Sequence, residues 1–122
     1  MQQLIRQQEL DSLNISQDEL IEKFKTQLVK DFEMCDVLNY LEPITVFDYE
    51  SIHENVKKAL KNIDSKDFSK YQHLLYRIDI SEKKLDQDLN SKPELDKHTI
   101  LADLIIKRLL QKVILKIQYS KK

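Results

Sequence analysis

"LLYRIDISEKKLDQDL", residues 74–89, is the stretch on which the reading of this chain turns. Leu74, Leu75 and Ile78 recur at helical spacing up to Asp79, and Leu85 and Leu89 recur at helical spacing after Ser81. Between them, Ile80 and Ser81 stand ahead of Leu85 as an apolar residue, a capping residue and a second apolar residue four positions on. In that arrangement the two apolar side chains pack together while the serine oxygen accepts a backbone N–H of the first helical turn. The joint is therefore a corner between two helices.

The same device recurs along the chain. Ile15-Ser16 precedes Leu20, with Glu19 completing a capping box, Phe47-Asp48 precedes Ile52, and Ile63-Asp64 precedes Phe68. Ser91-Lys92-Pro93-Glu94 offers a fifth start, with a proline placed for a first helical turn. These starts predict helices over 17–34, 49–62, 65–78, 82–90 and 94–119, with a further helix expected in the first 13 residues. The connector "NYLEPITVFD" is broken by Pro43. In 17–34 the residues Leu20, Ile21, Phe24, Leu28 and Phe32 share one face, opposite Glu22, Lys23, Thr26 and Lys30. The expected fold is all-α, a compact single-domain bundle of about five helices over residues 1–122, closed by a long C-terminal helix.

Composition narrows the chemistry. The chain has 122 residues and contains no glycine, no tryptophan and one cysteine. Phosphate-cradling loops, dinucleotide-binding turns and nucleophile elbows need glycine for positive φ or close backbone approach, so none is available in its usual form. The lone Cys35, placed on the apolar side of its helix, excludes an internal disulfide or a cysteine-based zinc site and reads as buried and inert. The opening "MQQLIRQQELDSLN" does not read as a signal peptide, and no apolar run reaches the length of a membrane span. A cytoplasmic protein is expected.

Charge is divided. Residues 1–56 carry 12 acids and 4 bases, a balance of −8; residues 57–122 carry 9 acids and 16 bases, a balance of +7. With an overall charge of −1, the reading preferred is two halves that attract each other, within one chain or between chains. The bases Lys107, Arg108, Lys112 and Lys116, continued by Lys121 and Lys122, form a candidate patch for an anionic partner. The simpler reading is favourable charge near a helix C-terminus.

The last helix changes its apolar face. At 100° per residue Ile100, Leu101, Leu104 and Ile105 cluster on one side, while Leu109, Leu110, Val113, Ile114 and Ile117 cluster nearly opposite. One half can pack on the chain's own core. The other needs the N-terminal segment or the same helix of a second subunit, so Leu109, Leu110, Val113, Ile114 and Ile117 are the candidate dimer face. The alternatives are a helix wrapped on all sides, or one broken near residue 107.

Other constellations are weaker. Glu50-x-x-His53 has the spacing of a metal-ligand pair, but His98 lacks a matching Glu-x-x-His, so a solvated acidic face is the better reading. His73, opposite the Leu74 and Ile78 stripe, is expected at the surface, and Arg77 and Asp79 are expected to pair or to cap their corner. No nucleophile–base pair is visible, and no metal or cofactor is expected.

Leu74, Ile78, Ile80, Ser81, Leu85 and Leu89 resemble the bacterial helix-turn-helix pattern. The resemblance implies a supporting helix at 67–78 and a recognition helix at 82–90, with Glu82, Lys83, Lys84 and Gln87 facing bases or phosphates. Asp79 stands where that pattern usually has glycine, Leu75 where it has a small residue, and Glu82, Asp86 and Asp88 outnumber Lys83 and Lys84. "LLYRIDISEKKL" with "LADLIIKRLLQK" also resembles a group of small bacterial proteins, which implies nothing about activity. The preferred expectation is a non-enzymatic helical domain that works by protein–protein contact, homodimeric through its last helix. The alternative is a DNA binder that uses 82–90.

Overall fold

Backbone N–H groups at a helix start have no partner within the helix, and in this chain a short side chain supplies one at five starts. A computed structural model describes residues 7–46 and 48–120. Among them lie seven α-helices: α1 (Gln7–Leu13), α2 (Gln17–Phe32), α3 (Leu38–Leu41), α4 (Tyr49–Lys66), α5 (Phe68–Ile78), α6 (Glu82–Ser91) and α7 (Lys97–Ser120). A 3-10 turn, Glu33–Cys35, follows α2. Ser16, Asp48 and Ser81 accept from the N–H groups of Glu19, Ser51 and Lys84 at 3.1–3.2 Å, as their spacing predicts. Phe47, the outer half of one expected apolar pair, lies outside the described residues, as do residues 1–6 of the N-terminal segment.

Two expected starts are corrected. α4 runs through Ile63 and Asp64 to Lys66, and α5 is capped by Asp67, whose side chain accepts from Lys70 N–H at 3.1 Å. Asp64 is held in the helix and accepts from His98 Nε2 at 2.8 Å instead. Ser91 ends α6 and donates back to the Asp88 carbonyl. The cap of the last helix is Asp96, which accepts from Thr99 N–H at 2.8 Å. Among the described residues the helices number seven rather than about five. The N-terminal segment and the connector each contain a helix of their own, α1 and the single-turn α3, and the connector's helix stops before Pro43.

Corners without glycine still need left-handed backbone, and short polar residues tolerate it best. Asn14, Asp36 and Asp79 take it, at φ 59°, 56° and 67°. After α1 and again after α5, the left-handed residue and its successor donate to carbonyls of the preceding turn, closing each helix end.

α7 is the hub. Helices α1, α2, α4, α5 and α6 all pack on it. It is continuous from Lys97 to Ser120, and both of its apolar sides are covered from within the chain. Ile100, Leu101 and Ile105 are buried on one, and Leu109, Leu110, Val113 and Ile117 on the other. Ile114 is half-buried. Of the two coverings expected for the second apolar side, the N-terminal segment or a second subunit, the chain's own helices supply one, with α1 among those that pack on α7. Leu10 and Leu13 of α1 and Leu20, Phe24 and Leu28 of α2 belong to the same buried cluster. No helix among the described residues is long and apolar enough to cross a membrane.

Candidate functional site

The divided charge is spent partly inside the fold. Asp31 of α2 is almost wholly buried, its side chain only 5% exposed. It receives Arg77 Nε of α5 at 3.3 Å, Lys112 Nζ of α7 at 3.4 Å and the Gln27 amide at 3.0 Å. Lys116 donates to the Gln27 carbonyl oxygen. A buried carboxylate is tolerable only when it is paired and fully bonded, and this one joins three helices. Of the candidate anionic-partner patch, Lys112 and Lys116 are engaged here, Lys107 pairs with Asp103 at 2.9 Å, and Arg108 lies 3.5 Å from Asp79 and donates to Gln111. Arg77 and Asp79 therefore pair with Asp31 and Arg108, not with each other.

A second set of polar contacts joins α4 to α7. Tyr49 donates to Asp103, and His53 Nε2 donates to the Thr99 carbonyl at 2.8 Å. Burial acts to raise the Asp103 pKa, but bonds from Tyr49 and Lys107 outweigh it, leaving that carboxyl below its ordinary value. Burial, then the bond to Asp103, pushes the Tyr49 hydroxyl up. Glu50, the other half of the metal-like spacing, is exposed. Among the described residues no group of three His, Cys, Asp or Glu is placed to hold a metal ion. Cys35 is half-buried rather than buried, because it falls in the 3-10 turn beyond α2. Burial still pushes its thiol up, with Lys70 acting against it. His73 is exposed on α5.

A groove open to a ligand lies between α5 and α6. Tyr71, Leu74 and Ile78 of α5 are buried, Leu75 is half-buried against the same core, and Phe68 and Tyr76 are left exposed beside them. Phe68 is 56% exposed and Tyr76 88%. α6 buries no residue fully; Leu85 and Leu89 are half-buried on the side where Glu82 and Asp86 also stand. These two walls, with Ile80 at the corner, Tyr71 and Gln72 within and Lys97 from α7, enclose a groove of about 650 Å³. The Lys97 ammonium sits 4.9 Å from the centre of the Tyr71 ring, and Phe68 stacks on the same ring at 6.0 Å. The Tyr71 hydroxyl is buried with no hydrogen-bond partner among the described residues, and burial, then Asp64, pushes its pKa up.

Another cleft, of about 560 Å³, opens between α2 and the end of α7. Two of its lining residues, Gln27 and Lys116, are already bonded to each other, so it offers less unmatched surface.

Glu82, Lys83, Lys84 and Gln87 are all exposed on α6, and Lys84 pairs with Asp88 at 3.2 Å. α6 packs on α7. The groove itself was not read from the sequence. Its signal was there: α5 has more apolar residues at i, i+3 and i+4 spacing than one buried stripe uses. Gln27 and Asp31 were equally visible as a polar pair set four apart in the apolar face of α2.

No family model matches the chain, and neither a curated protein nor a solved structure does.

Proposed function

We propose that this chain is a non-enzymatic helical domain that works by protein–protein contact, and that it binds an apolar segment of its partner in the groove between α5 and α6. The observation that carries the reading is the pair of large aromatic side chains, Phe68 and Tyr76, that α5 leaves largely in water at a groove whose other wall is a helix that buries nothing fully. Exposed aromatic side chains lining a groove are common anchors of protein recognition. Of the candidate dimer face, Leu109, Leu110, Val113 and Ile117 are buried and Ile114 is half-buried, which favours the groove as the contact surface.

A second reading, DNA contact through α6, rests on the left-handed corner at Asp79 and the exposure of Lys83, Lys84 and Gln87. Backbone amide NMR separates the two. Titration with a synthetic leucine-rich helical peptide is expected to shift amides of residues 68–89 and Lys97, and a mixed-sequence DNA duplex at low salt is expected to shift none. A duplex that binds, weakens steeply with salt and moves residues 82–87 overturns the proposal in favour of the second reading.

A further inference from the structure

From the groove's two walls we infer the kind of segment that fits it: a basic amphipathic helix, its apolar stripe on Phe68, Leu75 and Tyr76 and its lysines or arginines against Glu82 and Asp86. This rests on the groove being a binding surface, as proposed above.

The backbone argues for a helix. A peptide bound in extended form leaves its own N–H and C=O groups to be satisfied, which is why such peptides usually add to the edge of a sheet. No strand exists among the described residues, so no edge is offered. A helix satisfies its own backbone and presents only side chains, which suits a trough between two helices. α5 is 11 residues long, so the wall spans roughly 16 Å, about three turns of a partner helix. Anchors at i, i+3 or i+4 and i+7 match that length.

The charge argues for a basic helix. Glu82 and Asp86 stand four apart on α6, on the side that lines the groove. Among the described residues neither takes part in an ion pair, whereas the other acid on this helix, Asp88, is paired with Lys84. Cβ atoms at i and i+4 lie roughly 6 Å apart on any helix, so two cations at i and i+4 on a facing helix match the spacing of Glu82 and Asp86. The opposite wall is neutral, formed by Phe68, Gln72, Leu75 and Tyr76. Its exposed rings suit the stems and charged heads of lysine and arginine. Lys97 is the only cation among the lining residues, and the Tyr71 ring already lies beneath it. An acidic helix meets two like charges on α6, and the cost of that repulsion sets the selectivity.

The test uses two synthetic helical peptides of about 18 residues with the same leucine and phenylalanine stripe, one with lysine and one with glutamate at its polar positions. Anisotropy titrations are run at low and at physiological salt. The lysine peptide is expected to bind at least about tenfold more tightly than the glutamate peptide, with the gap narrowing as salt rises. Glu82→Gln with Asp86→Asn removes both charges from exposed positions. It is expected to weaken the lysine peptide about fivefold, on the scale of two exposed ion pairs, without weakening the glutamate peptide. Tyr76→Ser, at a site too exposed to disturb the fold, is expected to weaken both. Equal binding of the two peptides overturns the charge selection while leaving the groove standing. Binding by neither overturns the groove reading itself.

Discussion

The corner Leu10–Leu20 and the corner Leu75–Leu85 are built alike and lead to different ends. In each, a left-handed Asn14 or Asp79 closes one helix, an isoleucine follows, and a serine caps the next helix. Ile15 donates to the Leu10 carbonyl at 3.2 Å, and Ile80 donates to the Leu75 carbonyl at 3.1 Å. Beyond the first corner α2 buries Leu20, Ile21, Phe24, Leu28 and Phe32. Beyond the second, α6 buries nothing fully; Leu85 packs against the core and Leu89 is half-buried. Corner chemistry sets where a helix starts and which way it leaves. The number of apolar residues on its face sets whether it joins the core or stays at the surface with a groove beneath it.

That contrast breaks most sharply under truncation. Phe24→Ala in α2 removes a fully buried ring and is expected to cost about 3–5 kcal/mol, enough to threaten a domain of this size. Leu85→Ala in α6 removes a half-buried side chain and is expected to cost about 1 kcal/mol. Urea unfolding followed by circular dichroism measures both, and equal costs dissolve the distinction between the two helices. A smaller effect sharpens it. Ser16→Ala and Ser81→Ala delete the same bond, worth about 1 kcal/mol to the helix concerned. The first is expected to lower global stability by that amount, because α2 and the core unfold together. The second is expected to loosen α6 and to leave the global midpoint nearly unchanged.

The two corners also show how far the sequence could be read. Both were legible, because an apolar–cap–apolar triplet is a local signal and its bonds form between neighbours. Asp64 was a reasonable cap for α5 by the same rule. It lost to Asp67, three residues on, and was taken up by His98, 34 residues away. Asp96 fits the rule too, with Leu95 before it and Ile100 after it, but Ser91 and Pro93 offered an earlier start that the chain does not use. When several residues can cap, distant partners choose among them.

The long last helix marks the limit more clearly. Two apolar sides on one helix can be covered by the chain's own helices or by another subunit, and periodicity is identical in both cases. What decides is how many helices surround α7, a property of the whole assembly of elements. The Asp31 cluster is of the same kind: its carboxylate, Arg77 and Lys112 come from three separate helices. The division of charge between an acidic N-terminal half and a basic C-terminal half was legible in bulk. Its focus at one buried carboxylate was not. The groove escaped for a related reason, since the exposed rings of α5 become a wall only once α6 and Lys97 stand opposite them.

The most direct test of the account is native-state hydrogen exchange across the two helices that follow the matching corners. The amides of α6, residues 82–91, are expected to exchange through local opening at a free energy well below that of α2. Those of α2, residues 17–32, are expected to exchange only when the whole fold opens. Should the α6 amides be protected to the same global limit as those of α2, the second helix is part of the core after all. The picture of a corner that delivers a helix to the surface, with a groove left for a partner, is then contradicted.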